Sequence, residues 1–255
     1  MIWIKRFFTD LGGTYVDSLR AIKGLPWLFA AIIGWEFAQH IVEVRIGMFE
    51  SQEMGRAVAD DGLRMAFGWV KMASIYVGAF FVIRYFISQR SDRSLAPLGS
   101  AGLRYLPYFA YSLVVFAALF YARALIPEVH VDTFRAAVGL GQQLLEPLLI
   151  AWVVAAATDG RISGPIASAR RLGLLYFLAL PLLLLARVPA SLLHQHFNET
   201  AVGSMGTELW VTLAIDAVLV GLIVSIVPSA MVRVAGWMDK RSVQKRTAEP
   251  HPLTA

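Results

Sequence analysis

Residues 24–50, GLPWLFAAIIGWEFAQHIVEVRIGMFE, decide how this chain is read. About 20 mainly apolar residues wound into a helix cross ~30 Å of hydrocarbon, and this stretch has that length. Inside it Glu36, His40 and Glu43 are spaced by four and then three, which puts all three on one helical face. An ionisable side chain at membrane depth costs roughly 2.5–3.5 kcal/mol on insertion scales. Such groups are therefore paired, turned into a bundle or wetted by a cavity.

Outward from this stretch, similar runs occur at 65–87, 105–123, 136–158, 172–194 and 209–232, which with 25–46 make six expected spans. The chain is 57% hydrophobic and 16% charged, with a mean hydropathy of +0.60, which excludes a soluble domain of this length. The alternation of a membrane barrel is missing, so the backbone must be satisfied within helices. The expected fold class is all-α, a polytopic helical membrane bundle of three hairpins.

Sixteen of the 23 Lys and Arg fall in or beside the N-terminal segment, the second-to-third and fourth-to-fifth loops and the tail. The other three loops hold Glu50, Glu53, Asp60, Asp61, Glu128, Asp132, Glu199 and Glu208. This asymmetry predicts both termini in the cytoplasm of a bacterial-type inner membrane. The net charge of +5 is then a topology signal, and nucleic acid is not an expected partner. The absence of cysteine removes disulfides, iron–sulfur clusters and thiolate metal sites. Residues 1–24 lack a small-residue cleavage site, so the first span is expected to act as a signal anchor. Trp27 and Trp237 fall at the expected cytoplasmic boundary and Trp69 and Trp210 at the other, where amphipathic rings sit at headgroup level.

Ahead of the first span, Ile4, Phe7, Phe8, Leu11, Tyr15, Leu19 and Ile22 repeat at helical spacing, with Lys5, Arg6, Asp10, Asp17 and Arg20 on the remaining faces. This predicts an in-plane helix over 1–24 whose basic residues meet anionic headgroups. A weaker version of the pattern precedes the third and fifth spans, each with an Arg at the entry and a proline inside. Three units of amphipathic lead-in plus hairpin are one reading, and independent basic loops entering membrane spans are the other. The lead-ins DSLRAIKGLPWLF, GLRYLPYFAYSL and SARRLGLLYFLAL resemble the membrane domains of bacterial six-span inner-membrane proteins. That group includes the membrane domain attached to some glycerophosphodiester phosphodiesterases. The resemblance implies a fold and not an activity, because no phosphodiesterase catalytic domain accompanies it. The tail 240–255, KRSVQKRTAEPHPLTA, has nothing to bury and is expected to be disordered and cytoplasmic.

By rise per residue, Glu36 and Glu146 fall near the midplane, while His40, Glu43, Lys71, Gln142, Gln143, Arg187 and Asp216 fall in the half away from the cytoplasm. Charges from five spans at similar depth point to a shared interior. The expected pairs are Arg187 with Glu146 or Asp216, and Lys71 with Glu43. As plain ion pairs these would pin helices together. As a polar pocket open to the non-cytoplasmic side, they would bind or transport a small polar or amphiphilic ligand, with Glu36, His40 and Glu146 as a proton path. Pro147 beside Glu146, and Pro181 and Pro189 around Arg187, would bend the spans there.

His194, His196 and Glu199, with His130, are the sequence-level metal candidates, although histidines two apart on a helix point apart. HExxH, GxSxG, a phosphate-cradling Gly-rich loop and a dinucleotide fingerprint are all missing, so no catalytic residue and no cofactor are implied. Beside ligand binding stand two other functions: a scaffold that organises lipids, a membrane-protein partner or a second copy, and an intramembrane metal-dependent hydrolase.

Overall fold

The computed structural model describes the backbone of residues 2–90 and 95–248 and the side chains of 5–90 and 95–240. The SDRS start of the second lead-in, with Arg93, and the tail from 249 lie outside the described residues. Ten α-helices account for the described fold, with no strand among them: α1 Ile2–Gly24, α2 Pro26–Arg45, α3 Gln52–Ala57, α4 Gly62–Ser88, α5 Leu98–Phe120, α6 Ala122–Leu125, α7 Glu128–Ala157, α8 Pro165–Leu172, α9 Tyr176–Ala201 and α10 Gly206–Ala248.

Five units are long and apolar enough to cross a membrane: α4, α5, α7, α8 with α9, and α10. α2 meets that test only together with α1, from which it is bent by 97°. The bend is written in the sequence. Pro26 occupies the first turn of α2 and forces Leu25 out of helical geometry, to φ −129° and ψ 52°. The rim of each span carries large apolar side chains, among them Trp27, Leu103, Val114 and Phe177, exposed to the surroundings as in a lipid-facing surface.

α10 is the axis, packing against α9, α1, α4, α2 and α7. Small residues let it do so. Gly221 meets Ile33 of α2 so closely that an added Cβ would lie 2.8 Å from Ile33 Cγ1. At its far end Arg233 grips α1, donating through Nη1 to Asp10 Oδ1 at 2.8 Å and through Nη2 to Asp17 Oδ2 at 2.5 Å. Asp10, Gly13 and Asp17 share one face of α1, and the guanidinium lies over Gly13, where any side chain would collide with it.

Several expectations are revised. Trp237 is no lipid anchor: it is buried, and its Nε1 donates to Asp10 Oδ2 at 2.6 Å. The apolar stripe of α1 turns Phe8 and Leu19 outward, while Asp10 and Asp17 point inward to α10. The second lead-in is not a separate helix, because α5 runs unbroken from Leu98 through Phe120, whereas the third forms the short α8. The entry arginines also differ in surroundings. Arg20 lies beside Asp17, Arg104 donates to the Thr158 carbonyl after the end of α7, and Arg171 pairs with Asp239. The tail, expected to be disordered from Lys240, is helical through Ala248, since nothing before Pro250 breaks the helix.

The helices continue through their prolines, and at Pro189 a side chain supplies a donor in place of the lost N–H. Pro189 has no N–H for the Leu185 carbonyl, and Tyr15 of α1 brings its hydroxyl there, 2.9 Å from Ala186 O and 3.3 Å from Leu185 O.

Adjacent glycines in α1 provide a test of this docking. Gly13→Leu is expected to lower unfolding stability in detergent by about 1–3 kcal/mol through overpacking, whereas Gly12→Leu, whose Cβ meets nothing within 4 Å, should leave it unchanged. Thermal unfolding of the two variants side by side checks this.

Candidate functional site

α2 and α4 run antiparallel, so seven residues along one correspond to seven back along the other. Their charges follow that register: Lys71 Nζ donates to Glu36 Oε1 at 2.7 Å, and Arg64 Nε donates to Glu43 Oε1 at 3.2 Å. The expected Lys71–Glu43 pair is thus corrected by two helical turns. Arg64 belongs to the site although it precedes the expected span 65–87; its spacing of seven from Lys71 was the available signal. Asp61 caps α4 by accepting from the amides of Leu63 and Arg64, which fixes where that first turn begins.

Glu36, His40 and Glu43 share the buried face of α2 with Gln39, whose Nε2 donates to Glu43 Oε1 at 2.9 Å. His40 Nδ1 is 3.0 Å from Glu43 Oε2. On the other side of the ring, His40 Nε2 stands 3.2 Å from Asp216 Oδ2 of α10 and 3.7 Å from Glu36 Oε1, yet it is aligned for a hydrogen bond with neither. Asp216 is held from α9: His194 Nδ1 is 2.6 Å from Oδ1, and Asn198 Nδ2 donates to Oδ2 at 3.3 Å. Glu36, His40, Glu43 and Asp216 are all buried.

A cavity of about 310 Å³ adjoins this cluster, a size at the lower end of small-molecule sites. One end is polar, with Lys71, Gln142, Glu146, Arg187 and His194 in its wall; the other is apolar, with Ile83, Val153, Val227 and Met231. Along α4 the lining runs from Lys71 to Ile83, ~18 Å of helical rise. Of the two partners expected for Arg187, the structure selects Glu146, which accepts from Nη2 at 2.5 Å. Tyr111 donates to Gln142 Oε1 at 2.5 Å, and Tyr76, Tyr105 and Tyr108 add phenol rings to the wall.

The expected single chamber is therefore two neighbouring groups. Lys71, Gln142, Glu146 and Arg187 line the cavity, whereas Glu36, His40, Glu43 and Asp216 form the cluster behind its wall. Gln143 belongs to neither. Lys71 and His194 belong to both, each lining the cavity while bonded to a carboxylate of the cluster.

The metal candidates are also rearranged. His194 turns to Asp216, whereas His196 and Glu199 are exposed, with Glu199 accepting from Gln195. Helical geometry sends 194 and 196 to different faces. Among the described residues, the side chains with ligand atoms close enough to share a metal ion are Glu36, His40 and Asp216. Sequence reasoning placed these three at similar depth but not in contact, because Asp216 reaches His40 only through the crossing of α10 over α2.

Compared with family models, curated proteins and solved structures, the chain matches none. The reading of the site therefore rests on its own geometry.

The buried pairs give a direct test. Lys71→Met, which leaves Glu36 without its cation, is expected to cost about 3–5 kcal/mol of stability, and adding Glu36→Gln should recover most of that loss. Chemical unfolding in detergent of both variants measures it; equal loss in the double variant would show that the pair is not the source.

Proposed function

We propose that this is a six-span inner-membrane protein, with both termini cytoplasmic, whose cavity takes up a small amphiphile with a polar or anionic head from the non-cytoplasmic side. The orientation is supported by the sixteen cationic residues that cluster on one side of the expected spans. α2 counts as the sixth span, with α1 lying across its entry.

The observation that carries the ligand reading is the division of the cavity into a polar and an apolar end. Apolar side chains of α4, α7 and α10 accept a hydrocarbon tail, and its burial supplies the bulk of the affinity. At the other end Arg187 uses only Nη2 on Glu146 among the described residues, so the rest of its guanidinium fork is available to a carboxylate or phosphate. Lys71 adds a second cation in the same wall. By their expected depth Lys71, Gln142 and Arg187 fall in the half away from the cytoplasm and Glu146 near the midplane, which supports entry of the head group from that side. Movement of the bound amphiphile would then involve the groups that the cavity and the cluster share, Lys71 and His194.

The interhelical ion pairs also support the scaffold function, since each joins two helices whatever the cavity holds. The cavity distinguishes the two. Ala79→Trp places an indole in the middle of the trough and is expected to abolish binding of a fluorescent fatty acid to the detergent-purified protein. Arg187→Gln should weaken that binding about tenfold through loss of the charged head-group contact, with the apolar trough intact. Wild-type binding by both folded variants would remove the ligand reading and leave the scaffold.

A further inference from the structure

We propose that Glu36, His40 and Asp216 bind one divalent first-row metal ion of the zinc class in the buried cluster behind the wall of the cavity. The three come from α2 and α10, and one ligand atom from each lies within 4.8 Å of the other two. Proximity of acids is common. What singles out this cluster is its central atom: His40 is 2% exposed, and its Nε2 faces Asp216 and Glu36 without an aligned hydrogen bond to either. Glu36, also 2% exposed, has Oε2 without a partner as well.

The ring orientation argues for a lone pair at Nε2. Glu43 is held as a carboxylate by Arg64 and Gln39, so it accepts, and Nδ1 of His40 carries the proton directed at it across 3.0 Å. A second proton on Nε2 would be expected to align with one of the flanking carboxylates, yet neither Asp216 Oδ2 at 3.2 Å nor Glu36 Oε1 at 3.7 Å is aligned. A metal needs no such alignment; it needs lone pairs converging on one point. Four-coordinate zinc with bonds of ~2.0–2.1 Å has ligand–ligand edges of about 3.4 Å, and His40 Nε2 lies 3.2 Å from Asp216 Oδ2, close to that edge.

The outer atoms complete the pattern of a metal site. A histidine ligand characteristically donates its other nitrogen to a carboxylate, as His40 does to Glu43, and such a contact fixes both tautomer and ring orientation. Asp216 is held through Oδ1 by His194 and through Oδ2 by Asn198, and Glu36 is held through Oε1 by Lys71, which leaves its Oε2 without a partner. Charge also balances. Glu36, Glu43 and Asp216 bring three negative charges against Lys71 and Arg64, so the cluster requires further positive charge, which an ion, or a proton on His40 or on His194, supplies. One imidazole and two carboxylates are a hard-to-borderline donor set, suited to zinc or its first-row neighbours. Three protein ligands leave one coordination position of a four-coordinate ion for a non-protein ligand.

The inference does not depend on amphiphile binding, and its readouts are separate from those of Ala79→Trp. The full chain, carrying a tag without histidine and expressed with zinc, is purified in detergent and its metal content measured. About one zinc ion per chain is expected. His40→Ala and Asp216→Asn should each reduce metal retention roughly tenfold or more, whereas His196→Ala, remote from the cluster, should retain it. Because either cluster variant could fail to fold, the stripped wild-type chain is also titrated with Zn²⁺ and with Co²⁺. Zn²⁺ is expected to raise the unfolding temperature, and Co²⁺ to give the absorption of a low-symmetry site and an X-ray absorption shell with a single imidazole. Substoichiometric metal with no stabilisation by either ion would overturn the proposal and assign the missing positive charge to a proton. A coordination shell with two or more imidazoles would overturn it in favour of the outer histidines.

Discussion

The constraint on which the structure depends is the burial of charge on α2. Glu36, His40 and Glu43 lie on a helix surrounded by apolar residues, and each needs a partner from another element before that helix can be placed in hydrocarbon. α4 supplies Lys71 and Arg64 at the same spacing of seven, and α10 supplies Asp216. Slipping α2 by a turn would strand all of these groups together. The pairs thus fix rotation and depth at once, which apolar contacts between lipid-soluble helices do poorly.

Close packing along α10 follows from the same constraint. Its small residues let α2 approach, Gly221 against Ile33, and this approach brings Asp216 within reach of His40. At the opposite end Arg233 and Trp237 secure α1 through Asp10 and Asp17, so the bend at Leu25 and Pro26 is held from both sides. One long helix therefore carries two polar anchors with an apolar middle, and that middle walls the cavity.

The two anchors are not equivalent chemically. Around Arg233, both acids are paired with the guanidinium and Asp10 also accepts from Trp237, which ties α1 to α10, although the buried Nε of Arg233 has no hydrogen-bond partner. Around His40 the acids outnumber the permanent bases, and atoms of His40 and Glu36 remain without hydrogen bonds. An incompletely satisfied buried network is costly if it has no further role, because low dielectric magnifies each unpaired group. Lys71 and His194 join that network to the cavity wall, since each lines the cavity while bonded to a carboxylate of the cluster.

Sequence by itself determined the membrane class, the all-helical backbone and the polar face of α2, because hydrophobic run length and helical spacing are local properties. It also named Glu146 among the partners of Arg187, two residues expected at similar depth on neighbouring helices. Which partner each charge takes was decided by tertiary structure: the antiparallel register of α2 and α4 moved Lys71 from Glu43 to Glu36 and recruited Arg64. The crossing of α10 joined Asp216 to His40, and the docking of α1 turned Trp237 from an expected lipid anchor into a buried donor. The physical reason is the same in each case. Depth along a span is counted from the chain, whereas rotation about its axis and the choice of neighbour are set only when helices pack.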